Sequence, residues 1–154
     1  MGACGVVGCG NSLRRDDGVG VCVVERLRHE NLPRSVHLVD AGTGWMDVLF
    51  ALEGLPRAIM VDAVRSGAEP GTVFRVPAEE LAALPPPAAD LHALRWDHAI
   101  ALGRMLMKGR FPPHVEAYLV EVASTALGMG LSEPVTRGAE KVVAAIRADL
   151  REVR

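Results

Sequence analysis

At 154 residues the chain is long enough for a single domain, residues 1–154, to bury about two-thirds of its unfolded surface without staples. Hydrophobic residues make up 49% and charged residues 23%, and the formal net charge is -2; this excludes a disordered chain and gives no general electrostatic reason to bind nucleic acid or an anionic membrane. No stretch is long and apolar enough to span a bilayer, the apolar start lacks the basic region of a signal peptide, and three cysteines without paired metal spacing fit a reducing cytoplasm.

Residues 5–9 are small and apolar, the composition of a strand buried on both faces, and they lead into Gly8-Cys9-Gly10-Asn11-Ser12-Leu13-Arg14-Arg15-Asp16-Asp17-Gly18-Val19-Gly20. Beyond it Val19, Val23 and Leu27 recur at helical spacing, so a helix is expected to begin near Asp16. Glycine-rich turns between a strand and a helix often hold phosphate on free N–H groups. Here Asp16 and Asp17 stand where the anion would sit and compete for the same donors, and Leu13 replaces the third glycine of the dinucleotide fingerprint. A cation is the better guest.

Two more strand-length apolar runs follow, residues 36–39 and 58–61, separated by a short helix over 45–55 that Gly54 and Pro56 close. Alternating strands and helices predict parallel βαβ units in an open α/β sheet. Residues 66–71 read as a turn and 72–76 as a strand, together an antiparallel edge hairpin. Pro85-Pro86-Pro87 makes 78–90 a loop, with a helical turn at 79–84, of the length that often covers a site. A helix is expected over 91–108, with Asp97, Arg104 and Lys108 on one face and Ala99, Leu102 and Leu106 on the other. In the last strand, 115–122, Val115, Ala117 and Leu119 alternate with Glu116, Tyr118 and Glu121; a small-residue loop, 126–132, precedes a final helix with Pro134 in its first turn.

Ligands of open α/β sheets gather at the carboxyl ends of the strands, and the first three strands all end in acid: Asp16 and Asp17, then Asp40, then Asp62. Capping of turns or helices is the competing use of such aspartates. The two uses weigh equally for Asp40, whereas Asp62 ends an apolar strand with no clear helix behind it. His92 falls in the first turn of the helix after the proline loop, and His98 lies at the boundary between that helix's faces. Cys4 and Cys22 read as small core residues, while Cys9, beside the glycine turn, is a candidate nucleophile with no evident activator in sequence.

In this order, the glycine turn with Asp17, Asp40-Ala41-Gly42-Thr43, Val61-Asp62-Ala63, and His92 ahead of Gly103-Arg104 make the chain resemble the hydrogenase maturation endopeptidases, which trim the C-terminal tail from nickel-iron hydrogenase large subunits. The resemblance implies a three-layer α/β/α sandwich with a mostly parallel central sheet, of the phosphorylase/hydrolase-like kind. It also implies that Asp17, Asp62 and His92 surround a nickel ion and serve catalysis, with His98 the competitor for His92. In that family the nickel belongs to the substrate, the large-subunit precursor, and cleavage follows a His or Arg near its metal-binding cysteines. A cytoplasmic monomer that engages no nucleic acid and no membrane is expected. Asp16 would then cap the helix start and Asp40 would support the loop near the metal.

One imidazole and two carboxylates form a mixed N/O set that suits nickel, zinc or cadmium and leaves coordination positions open. Asp17 or Asp62 could accept a proton from an attacking water, or the metal could serve only to position the tail. His-Glu-x-x-His and Gly-x-Ser-x-Gly motifs are absent. Three alternatives stay open at this level: a nickel-dependent accessory protein that binds the large subunit without cutting it, a nucleotide-binding domain, and a metal-free hydrolase built on Cys9.

Overall fold

A computed structural model describes residues 3–77, 79–80 and 96–152. Five strands form one sheet: β1 (Cys4–Cys9), β2 (Val36–Gly42), β3 (Arg57–Val64), β4 (Val73–Val76) and β5 (His114–Glu121), in the spatial order β2-β1-β3-β5-β4. The first four in that order pair parallel, and β4 is an antiparallel edge. Four helices complete the described fold: α1 (Val19–Leu27), α2 (Trp45–Leu52), α3 (Trp96–Met107) and α4 (Glu133–Glu152).

The period-2 alternation of the strands sorts their side chains into two apolar cores. Cys4 and Val6 of β1, Ile59 and Val61 of β3, and Tyr118 and Val120 of β5 pack with α1 and α4 on one face. Val7 and Cys9, Ala58 and Met60, and Ala117 and Leu119 pack with α2 and α3 on the other. This is the three-layer α/β/α sandwich with a mostly parallel sheet. The chain goes from β1 to β2 by way of α1 on one face, then from β2 to β3, on β1's other side, by way of α2 on the opposite face. The order therefore reverses at β1 and β3, and a crevice for ligands is expected outside their carboxyl ends.

Several local expectations change. The α-helix starts at Val19, after a 3-10 turn over Arg15–Gly18. Strand β4 lies on the edge, yet it does not form a hairpin with β3, because β5 is inserted between them. The connection steps over the end of β5, where buried Glu121 accepts hydrogen bonds from Ser66 N–H (2.9 Å), Ser66 Oγ (2.7 Å) and Gly67 N–H (3.0 Å). In β5 the polar members of the alternation, Glu116, Tyr118 and Glu121, are buried along with the apolar ones. On α3, Leu106 is 64% exposed and Ile100 and Gly103 are buried, so the inward stripe is rotated from the one expected. Cys4 is a core residue, but Cys22 is only partly buried. The proline-rich stretch and the expected start of the helix at 91 lie outside the described residues, apart from Glu79 and Glu80, which are helical.

Candidate functional site

The glycine turn can be built only from these residue types. Gly10 has φ +123°, and a Cβ on it would lie 1.9 Å from the carbonyl oxygen of Asp17 and 3.5 Å from Oδ1 of Asp62. One glycine thus lies between the backbone of the first acidic position and the carboxylate of the second. Gly20, in the first turn of α1, would meet Val61 O at 2.3 Å and Cys9 O at 2.5 Å, so the helix start is pressed against the ends of β1 and β3. The sequence elements carrying Asp17 and Asp62 are brought together at the point where the strand order reverses.

Asp17 Oδ2 accepts the Asn11 N–H at 2.8 Å, closing the loop on itself. A donor that could have faced a phosphate is taken by the protein's own carboxylate, which weighs against nucleotide binding at this turn. Asp62 lies two residues inside β3 and is partly buried; its Oδ1 accepts the Ala63 N–H at 2.8 Å. Asp40 is exposed and its Oδ1 accepts the Gly42 N–H at 2.9 Å, the turn-closing use of an aspartate. A cleft of about 260 Å³ opens beside it, lined by Gly10, Asn11, Ser12, Leu13, Asp40 and Thr43.

Cys9 is buried at the end of β1, and burial together with the nearby charges of Asp62 and Asp40 pushes its thiol far above the ordinary value. A thiol held neutral is a poor nucleophile, so the Cys9 hydrolase reading is disfavoured.

Asp16 does not cap a helix. Its carboxylate, fully buried, accepts hydrogen bonds from Ala123 N–H (2.9 Å), Ser124 N–H (3.0 Å), Ser132 N–H (2.7 Å) and Ser132 Oγ (2.9 Å). Burial pulls its pKa upward, but these bonds outweigh it and hold the carboxyl below the usual range. The loop after β5 is thereby clasped to the loop after β1. Backbone bonds complete the clasp: Arg15 N–H to Gly128 O (2.9 Å), Gly128 N–H to Leu13 O (2.9 Å) and Asp16 N–H to Ser124 O (3.1 Å). Arg15 takes a left-handed φ of 47° to make them, a conformation disfavoured for a residue with a Cβ. Sequence reasoning missed this role because the partners lie more than 100 residues downstream.

His92 lies outside the described residues, so the third expected ligand is not located. The described part of α3 starts four residues after it and returns the chain to the amino end of the sheet, where Arg110, just past the helix, accepts the Gly54 N–H on its carbonyl at 2.7 Å. The described start of α3 is therefore toward the carboxyl end, on the face that carries Cys9. His98 lies on α3 itself. Among the described residues no three His, Cys, Asp or Glu side chains are close enough together to hold a metal ion. The donor chemistry of Asp17 and Asp62, two carboxylates each oriented by a backbone N–H, fits a cation that brings further ligands of its own.

The comparisons with known proteins bear on the whole chain. Residues 21–149 match the pattern of the hydrogenase maturation protease family HycI. The hydrogenase 2 maturation protease of Escherichia coli is 32% identical over 149 residues, covering 96% of this chain and 90% of that protein. The solved structure of the hydrogenase maturating endopeptidase HybD from Escherichia coli superposes with a TM-score of 0.82 at 28% identity, covering 97% of this chain and 93% of that one. The nickel-iron hydrogenase maturation protease HycI from Thermococcus kodakarensis, at 22% identity and a TM-score of 0.74 over 97% and 92% of the two chains, shares the fold. With its acidic strand ends meeting at the reversal of a β2-β1-β3-β5-β4 sheet, the chain belongs to the hydrogenase maturation protease family, and its activity is that of a peptide-bond hydrolase.

Proposed function

We propose that this endopeptidase removes the C-terminal tail of a nickel-iron hydrogenase large-subunit precursor after nickel insertion, and that it recognises the nickel carried by that substrate through Asp17, Asp62 and His92. The observation that carries the reading is the position of Gly10 between the Asp17 backbone and the Asp62 carboxylate, at the carboxyl ends of β1 and β3. Each carboxylate accepts a backbone N–H, which orients it. Two oriented carboxylates and one imidazole suit a borderline divalent ion, and zinc or cadmium could take nickel's place.

In the cleavage step, water attacks the scissile carbonyl carbon and gives a proton to Asp17 or Asp62; the C–N bond then breaks and the leaving amine takes a proton up. The substrate's nickel supplies positioning of the tail and polarisation of nearby oxygen. His98 is the alternative to His92 as the imidazole ligand. The protein acts as a cytoplasmic monomer in this reading; three free cysteines among the described residues support a reducing compartment.

The test is the intact mass of nickel-loaded precursor before and after incubation with the wild type, His92→Ala and His98→Ala. Loss of a C-terminal peptide with the wild type and His98→Ala, but not with His92→Ala, is expected. Nickel-dependent binding without any mass loss would favour the accessory-protein reading instead.

A further inference from the structure

The clasp made by Asp16 presents large apolar side chains to solvent. Leu13 is 59% exposed, Leu127 79% and Met129 78%, and all three sit on the two loop segments joined by the Arg14–Gly128 bridge. Other exposed apolar residues, such as Phe50 on α2 and Leu106 on α3, lie on helix surfaces, whereas these three lie on loops whose backbones are hydrogen-bonded to each other and to a carboxylate adjacent to Asp17. A loop left to itself would fold such side chains inward or stay mobile. Here the bonds of the clasp fix them in an exposed position, so little ordering entropy remains to be lost when a partner covers them.

Beside Met129 a groove of about 280 Å³ is lined by Val21, Cys22, Met129 and Leu131, with Arg15 and Arg26 at its rim. Arg26 pairs with Glu140 at 3.6 Å, while Arg14 and Arg15 are exposed and form no ion pair among the described residues. The surface is thus an apolar ledge and groove with two positive charges that form no ion pair among the described residues, on the loop that leads into Asp17.

We infer that this ledge docks the substrate polypeptide through an apolar segment flanked by an acidic group, the apolar side chains covering Leu127 and Met129 and the acid meeting Arg14 and Arg15. The inference rests on the proposed function for its occupant, the large-subunit precursor, which reaches both the ledge and Asp17. Leu127 and Met129 then set affinity for the precursor and take no part in the bond cleavage. Arg14 adds a salt-dependent contribution at the rim.

The experiment measures both dissociation constant and cleavage kinetics of nickel-loaded precursor with the wild type, the double variant Leu127→Ser/Met129→Ser, Arg14→Glu, and Phe50→Ser as a control on a different surface. All four substituted side chains are exposed, and equal melting temperatures show that the fold is kept. The ledge predicts a rise of about tenfold or more in Kd and KM for the double variant with kcat unchanged, a several-fold rise for Arg14→Glu that shrinks in high salt, and no change for Phe50→Ser. Wild-type Kd in the double variant overturns the ledge, and wild-type Kd in Arg14→Glu at low salt overturns its charged rim. A fall confined to kcat also overturns it. Tight wild-type binding without cleavage, weakened in the double variant, keeps the ledge and removes the proposed function. Absence of wild-type binding removes both.

Discussion

At the amino end of the sheet, Glu116 of β5 lies between Arg57 at 2.5 Å and Arg75 at 2.8 Å, and Arg57 also bonds Asp149 of α4. At the carboxyl end, Asp17 and Asp62 accept backbone N–H groups. Guanidinium partners cancel a carboxylate's charge and allow it to be buried, which is a structural use. Backbone donors orient a carboxylate and bring no charge of their own. Asp16 stands between the two uses: it is buried like Glu116, but four N–H and O–H donors satisfy it, and what they hold in place is a loop beside the site.

The comparison predicts that the amino end carries stability and the carboxyl end carries activity. The largest effect is expected for Glu116→Ala, which removes the buried carboxylate that bonds both Arg57 and Arg75, leaves the partly buried Arg57 with Asp149 alone, and should cost about 3–5 kcal/mol in a urea melt. Asp16→Ala strands three backbone donors and one hydroxyl, and should cost about 3 kcal/mol while also raising protease sensitivity within residues 123–132. A melt of Glu116→Ala near wild-type stability would break the division between the ends.

Acid should act on the same carboxylate. Burial raises the Glu116 pKa, but the hydrogen bonds and charges of Arg57 and Arg75 outweigh it, and the carboxyl is held below its usual range. A depressed folded-state pKa contributes stability that is fully present above the unfolded value of about 4.3 and is lost as pH falls through the folded value. The wild type should therefore lose stability on acidification below about pH 4.3, and Glu116→Ala should lose less over the same window. Parallel acid profiles for the two proteins would assign the loss to other groups.

The smallest stability effects are expected at the carboxyl end. Asp17→Asn and Asp62→Asn keep a side-chain oxygen able to accept the backbone N–H that each carboxylate holds, and should each change stability by about 1 kcal/mol or less, yet processing should fall by about a hundredfold or more. Cys9→Ala should retain processing, because its thiol is buried and kept protonated.

What was legible in the sequence divides along the same line. The glycine turn, the three acidic strand ends and the parallel sheet are written in neighbouring residues, where period and turn chemistry act directly. Asp62 stood out because an acid closing an apolar run has a local signature. The roles of Asp16, Glu116 and Glu121 depend on donors brought from distant segments: Ser132 for the first, Arg57 and Arg75 for the second, Ser66 and Gly67 for the third. Composition and spacing are blind to such pairings. The edge pairing of β4 with β5 was hidden for the same reason, since bonds such as those from Ser66 and Gly67 to Glu121 carry the intervening chain over the end of β5.

The most direct test of the division compares nickel-loaded with nickel-free precursor, following the intact mass of each during incubation with the wild type and with Asp62→Asn at matched melting temperature. Tail loss from the nickel-loaded precursor alone, abolished in Asp62→Asn, is the predicted result. Equal cleavage of both precursors by the wild type, or undiminished cleavage by Asp62→Asn, would contradict the claim that the carboxylates at the carboxyl end of the sheet read the substrate's metal.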